Sequence, residues 1–447
     1  MSRSASVLEN IGRLFYIVDQ KTTTFQHEKD VPNYLNEALP YFMLLIVVEW
    51  LVTYIKIGKT FRLGDCLTSQ GHGICRQVAE VVWRGFEFLG YQWLYERRLV
   101  HLDWDSSLVW WMAALGADFG YYWFHRAVHE LHLGWSSHQV HHSSEDYNIS
   151  TALRQSMFQR LFAFGFYQPL ALLGVPLPAI LVHYQFNLLY QVWIHTELVD
   201  RLGPLEWVFN TPSHHRVHHG SNKWCLDKNY GGTLIIWDRI FGTFAAERDD
   251  EPVVYGLVDQ PQTFNVIWLQ FFYIGHVFKK FWKMETFEDK MRALFFGPGW
   301  TPGSPRLGDM DMLPDKWPQR PKYDPQIPLW LKIYIIVHFF VVILVQRALL
   351  TRVMGLTYIS ILFFMMFIFV SLATIGGMYD GWMLAPLLET ARCITYIVYF
   401  SSTYLTTSAF LDGSLMVYMA MSSFMWGKQT VKMIYSLARK EMKSNLS

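Results

Sequence analysis

Three short histidine clusters constrain this chain more than anything else in it. The sequence reads HRAVH at His125–His129, HQVHH at His138–His142 and HRVHH at His215–His219. Of seventeen histidines, twelve fall between His125 and His219. Neutral imidazole is the commonest metal ligand in proteins. Residues three and four apart share one face of a helix. His125 and His129 therefore point together, as do His138, His141 and His142, and again His215, His218 and His219. Eight imidazoles exceed what one ion of ordinary coordination number takes, so the spacing predicts two ions close together.

The composition says where such a centre sits. Only 17% of the residues are charged and 52% are hydrophobic, against about 25% charged in soluble domains. The balance predicts an integral membrane protein. A net charge of +1 argues against a nucleic-acid-binding surface. Cys66, Cys75, Cys225 and Cys393 form no C-x-x-C pair, which excludes a zinc ribbon and gives no disulfide framework. The chemistry therefore faces a reducing compartment. Charges interrupt every apolar run in the first forty residues, so no signal-peptide core is expected there.

Residues 1–39 read as short helices at the membrane surface. Pro40–Ile57 is an apolar run of spanning length, with Glu49 inside it. Val78–Tyr95 reads either as a span or as an amphipathic interfacial helix. Leu108–Phe124 is a clearer span, ending in the aromatic belt Tyr121-Tyr122-Trp123 directly before His125. Asp118, seven residues earlier on the same face, reads as an acceptor for an imidazole N–H or as a partner for a neighbouring helix. Met157–Val175 and Leu181–Ile194, joined by a turn at Pro176 and Pro178, read as a hairpin through lipid. Its return leg ends Tyr190, Trp193, His195. Topology thus brings His195 level with His125 and His142 as a ninth ligand. His183, deeper in that helix, and the adjacent His132 and His214 are left as structural.

After His219 the chain turns polar. Residues 246–326 read as a cytosolic cap or linker behind a catalytic core of residues 40–245. Pro328–Gln346, Val353–Ile375, Met383–Phe400 and Thr406–Trp426 are four apolar runs without a metal-ligand pattern, within a C-terminal membrane region at 327–427. The tail at 428–447 carries Lys428, Lys432, Arg439, Lys440 and Lys443 and is expected in the cytosol. The fold class expected is all-α: a polytopic membrane helical bundle with a histidine-rich diiron site at its cytosolic interface.

An all-imidazole pair suits iron, zinc or copper. Nine histidines at a lipid interface suit an O2-activating diiron centre that attacks a C–H bond of a lipid chain. The three clusters, in this order and with membrane hairpins between them, resemble the fatty acid hydroxylase superfamily of membrane diiron oxygenases. FGYYWFHR, HHSSEDYNISTALRQS, WIHTE, NTPSHHRVHHG and DKNY followed by LIIWD and IFGTF carry a closer likeness. They are similar to the branch of that superfamily that cleaves the O-alkyl bond of glyceryl ethers. The resemblance assigns the ligand role to His125, His129, His138, His141, His142, His215, His218 and His219. It further implies two iron ions, O2, tetrahydrobiopterin, an ether-lipid substrate and an endoplasmic reticulum membrane with the site facing the cytosol. Glu130, beside His129, is a candidate to bind the guanidine-like edge of a pterin, and Tyr230 to stack on its ring. Each reads equally as scaffolding. A sterol or fatty acid hydroxylase or desaturase fed by cytochrome b5 would share these histidines. A metal transporter would need ligands near the bilayer midplane along a path, which this pattern lacks.

Overall fold

The computed structural model describes residues 6–58, 60–83, 85–314, 321–401 and 404–444 of the 447. The described residues are helical, with isolated bridges in place of strands. They divide into two compact units. The first comprises residues 1–70, 83–261 and 272–322, and the second residues 71–82, 262–271 and 323–447. Two short segments far from the C-terminal region in sequence thus belong with it, which a linear division at residue 327 does not anticipate.

Among the described residues three helices are long and apolar enough to cross a membrane: Glu28–Ile57, Leu329–Gly355 and Tyr358–Tyr379. They overlap three of the expected apolar runs, the first starting before Pro40, the second running past Gln346 and the last displaced from 353–375. The expected runs Leu108–Phe124, Leu181–Ile194, Met383–Phe400 and Thr406–Trp426 are not among them. Two other expectations are corrected. Val78–Tyr95 is neither a span nor a single interfacial helix, because the Leu63–Trp83 helix ends inside it and short turns follow. The outward leg 157–175 is two short helices, Gln159–Ala163 and Gln168–Leu172. Gly165 between them has φ +97°, a backbone state outside the helical region, and Pro169 starts the second helix. The last helix, Ala409–Ser444, runs on beyond the expected boundary at 427, and the side chains of Arg439, Lys440 and Lys443 lie outside the described ones.

In the first unit the return helix, Leu177–Trp193, lies between two apolar clusters. One joins its Ile180 and Tyr184 to Val109, Ala113, Tyr121, Phe124 and Val128 of the Ser107–Glu130 helix. The other joins its Val182, Phe186 and Leu189 to Tyr34, Phe42 and Ile46 of the N-terminal span. Apolar burial of this kind contributes about 25 cal/mol per Å2. Glu49 sits in the interior of this packing, where its carboxylate accepts from the Ile149 N–H at 2.7 Å and the Thr196 hydroxyl at 2.5 Å. That pairing is what a carboxylate inside an apolar helix requires.

Candidate metal centre

Four helix ends meet to build the site. The Ser107–Glu130 helix is capped by the Ser106 side chain, which accepts from the Val109 N–H at 3.3 Å. It ends at Leu131, whose extended backbone (φ −115°, ψ 123°) is also the cap of the next helix, His132–His142. The corner is tight: a Cβ on Gly134 would lie 2.8 Å from the Val128 Cα. The return helix ends beside His195, and Pro212–His218 brings the third cluster.

All nine expected histidines come together, buried, in two groups. His125, His129, His138, His142 and His218 form one group, and His141, His195, His215 and His219 form the other. Within each group the ligand atoms lie within 4.8 Å of one another. The division differs from the one-face reading of each cluster. Pairs four apart, His125/His129, His138/His142 and His215/His219, stay together, while His141 and His218 cross to the opposite group. The second and third clusters therefore each serve both groups.

The ring nitrogens face one another. Nε2 of His125 lies 3.0 Å from Nε2 of His138, and Nε2 of His215 lies 3.1 Å from Nε2 of His195. Nε2 of His129, His218 and His219 has no hydrogen-bond partner among the described residues. On the far side of four rings Nδ1 donates to a backbone carbonyl: His125 to Tyr230 at 2.8 Å, His141 to Arg154 at 3.0 Å, His195 to Gln191 at 2.6 Å and His218 to Lys228 at 2.9 Å. A proton held on Nδ1 leaves the Nε2 lone pair free and aimed inward. Burial, reinforced in most of the rings by neighbouring imidazoles, keeps the rings neutral. His129, His138 and His219 are held well below the ordinary histidine value, and His195 is pushed down to about 3. Nine neutral imidazoles, whose inward Nε2 atoms face one another or have no partner among the described residues, fit two soft-to-borderline cations.

The other expected site residues fall around this centre. Both Glu130 oxygens are engaged, by Arg126 Nε at 2.7 Å and by Arg306 Nη1 at 2.8 Å. The Tyr230 ring lies edge-on to His129, centroids 5.2 Å apart. Asp118 accepts from Asn187 of the return helix at 2.6 Å, from the N–H groups of Thr233 and Leu234, and from the Trp237 indole. The neighbouring-helix alternative therefore describes Asp118, and no imidazole is among these partners. His132 ties the helix corner to later chain, donating through its backbone N–H to Phe296 and through Nδ1 to Ala293. His183 pairs with the Tyr16 hydroxyl at 2.9 Å.

Several residues at the site were missed. Asp227 Oδ1 lies 3.5 Å from His129 Nδ1. Asp227 and Asn229 both have φ +57°, a left-handed state that Asp and Asn tolerate better than other side chains. The D-K-N-Y string carried that signal. This bent loop delivers the two carbonyls that hold His218 and His125. Arg154 acts through its carbonyl on His141, a contact that side-chain patterns do not encode. A third group, His338, Glu389 and Cys393, lies in the second unit, in runs that showed no ligand pattern. Arg392 donates there to both Glu389 and His338, so a guanidinium already stands where a cation would.

The fatty acid hydroxylase family model matches residues 110–243, the stretch that supplies every one of the nine histidines. The alkylglycerol monooxygenase C-terminal domain matches residues 331–417. The chain is 41% identical to alkylglycerol monooxygenase of Xenopus tropicalis over 96% of both chains. It is also 41% identical to that of Homo sapiens, over 97% of this chain and 98% of the relative. The chain belongs to the alkylglycerol monooxygenase family. It is accordingly an all-helical, multi-pass membrane monooxygenase of the fatty acid hydroxylase class, with histidine clusters suited to iron. The ornithine lipid hydroxylase OlsE of Rhizobium tropici shares only part of it, 38% identity over 29% of this chain. No solved structure matches the chain.

Proposed function

We propose that this protein cleaves the O-alkyl bond of alkylglycerols by hydroxylating the ether-bearing carbon, with O2 and tetrahydrobiopterin. The observation that carries the reading is the nine-imidazole nest, split five and four, in a chain that matches alkylglycerol monooxygenases along nearly its whole length. Two iron ions, one per histidine group, supply the oxygen chemistry when bound. The chain's own part is to hold the rings neutral, fix their Nε2 atoms inward and keep water out. One oxygen atom enters the C–H bond, the other leaves as water, and the reduced pterin gives up two electrons. The resulting hemiacetal separates into a fatty aldehyde and a free glycerol hydroxyl.

Glu130 and Tyr230 are the proposed pterin contacts. A pterin's guanidine-like edge is chemically close to the guanidiniums Glu130 already binds. Arg306 is the one to yield, since its side chain is 47% exposed and sits on a loop, whereas Arg126 comes from the ligand helix itself. The substrate keeps its glycerol head at the interface and its alkyl tail in lipid, so little apolar surface need enter water. The bond attacked is then the first methylene below the head. We place the site on the cytosolic face of the membrane, on the strength of the basic tail, and in the endoplasmic reticulum on the strength of the family resemblance alone.

The test uses an alkylglycerol deuterated on its ether-bearing methylene, with labelled O2 and reduced pterin. The aldehyde, trapped quickly, should have lost one deuteron and carry the oxygen label. Unchanged turnover without pterin, sustained by cytochrome b5 and its reductase, would move the assignment to the sterol-hydroxylase type. Oxidation at a mid-chain carbon would overturn the depth argument.

A further inference from the structure

Asp118 sets a depth. It lies seven residues before His125 on the Ser107–Glu130 helix, about 10 Å further from the histidine end at 1.5 Å per residue. Its carboxylate accepts from the backbone of Thr233 at 2.8 Å and Leu234 at 3.2 Å and from the Trp237 indole at 2.8 Å. Tyr230, only four residues before Leu234, is level with His125, which donates to its carbonyl. The chain after the third cluster thus descends beside the helix. It then climbs back through Ile236–Phe241. Trp237 packs on Phe119 and Phe241 on Trp123, each with centroids 5.0 Å apart, and the Thr243 hydroxyl reaches that of Tyr122 at 3.0 Å. Residues 208–210 run alongside at the lower level. There the Ile235 N–H donates to Val208 at 2.9 Å and the Asn210 N–H to Thr233 at 2.8 Å.

The outer surface of this turn is apolar. Trp207 is 68% exposed, Ile240 65% and Leu205 56%, with Val208, Phe209 and Phe241 beside them. The Ser107–Glu130 helix exposes Leu108, Trp111, Leu115 and Phe119, one stripe at helical spacing. Phe119 touches both Trp237 and Phe241, so stripe and turn form one surface. Irregular backbone survives at membrane depth only where protein satisfies its polar groups. Here it does. The N–H groups of Tyr230 and Gly231 donate to the two Asp238 oxygens, both at 2.7 Å, and Asn210 Nδ2 donates to the Gly231 carbonyl at 2.6 Å. The one cation on the short helix, Arg239, is folded back over the Trp207 and Phe244 rings and donates to the Glu206 carbonyl.

We propose that residues 205–209 and 233–241 form a re-entrant element whose apolar face lies against the acyl chains of the bilayer. The bilayer is the occupant because the face continues the exposed apolar stripe of the first ligand helix, and the proposal rests on the reading of that helix as a membrane span. The element joins the lipid directly to the metal centre, since the same turn presents the Tyr230 carbonyl to His125.

The test labels the full-length, unmodified protein in lipid nanodiscs with a phospholipid carrying a photoactivated diazirine on its acyl chain, and maps the adducts by mass spectrometry. Adducts are expected on Trp207, Ile240 and Phe241 as on Trp111 and Leu115, and none on residues 247–251. Labelling of Leu115 without Trp207 or Ile240 overturns the proposal. Absence of label on Leu115 as well overturns the reading of the helix beneath it. Nitroxides on the exposed sites Ile240→Cys and Asp249→Cys give a second measure. The first should lose contact with a water-soluble nickel chelate and gain it with O2, and the second the reverse. Equal nickel contact at both sites also overturns the proposal.

Discussion

His129 and His141 belong to different imidazole groups, so their loss should not be equivalent to damaging one ion twice. We expect His129→Ala and His141→Ala each to lower iron per chain and abolish turnover while the protein still inserts. Metal analysis combined with iron spectroscopy should show a different residual iron in each. Two full irons in either variant would remove that residue from the ligand set. Asp118 is a different case, because two of its four donors are buried, the other two half-buried, and none is an imidazole. Asp118→Ala leaves them without an acceptor, at about 1–3 kcal/mol for each buried unsatisfied group. A large fall in thermal stability is expected, with iron lost only as the fold is lost. Asp118→Asn, which still accepts with one oxygen, should lie between. Unchanged melting of Asp118→Ala would refute this account.

At the scale of elements, the His132–His142 helix carries histidines of both groups, so what fixes its C-terminal end matters. Arg154, fully buried, donates to Ser143 beside that end at 3.1 Å, to Ser69 at 3.0 Å and to Asp65 at 2.9 Å. Its own carbonyl accepts from His141. Removing one partner of such a buried pair costs about 3–5 kcal/mol. Arg154→Gln should therefore destabilise the protein and weaken iron binding in the four-histidine group first, reproducing the spectrum of His141→Ala rather than His129→Ala. Arg154→Lys, which keeps the charge beside Asp65, should recover part of both. Equal loss from the two groups would show that Arg154 acts on the fold alone.

For the whole molecule, the burial of so much neutral imidazole couples stability to pH. His132 and His214 lie outside both ligand groups, and burial pushes each down to about 4, against about 6.5 in an unfolded chain. Between those values the unfolded state binds the extra protons, so stability is full above about pH 6.5 and falls as pH drops toward 4. Melting of metal-free protein, followed from pH 8 to pH 4.5, should fall through that window, and less steeply in His132→Gln. A flat profile would contradict the burial. Iron binds only the folded nest, so chelation should lower the melting temperature at constant pH. An identical melting temperature with and without iron would count against the two-ion reading.

The sequence alone determined the class of molecule and the identity of the nine candidate ligands. Low charge and long apolar runs specify a membrane protein whatever the packing, and helical spacing makes each cluster a unit before any tertiary contact exists. Even His195 was legible, because the return helix runs through an aromatic belt straight into it, although the outward leg is two short helices and not the span expected. The tertiary structure decided what the pattern leaves degenerate. A cluster of three histidines on one helix end does not state which member goes to which ion, and packing of four helix ends sends His141 and His218 across. Asp118 reads the same whether it faces an imidazole or a loop more than a hundred residues away. The carbonyl of Arg154 has no side-chain signature at all, and those of Lys228 and Tyr230 have only the indirect one of the D-K-N-Y turn. Residues 205–209 before the last cluster and 233–241 after it look like mere connection, because their short apolar runs lack a spanning length. Hydrogen bonds from Thr233, Leu234 and Trp237 to Asp118, with Val208 and Asn210 paired to Ile235 and Thr233, hold them beside the helix, where their exposed tryptophan, isoleucine and phenylalanine acquire a meaning.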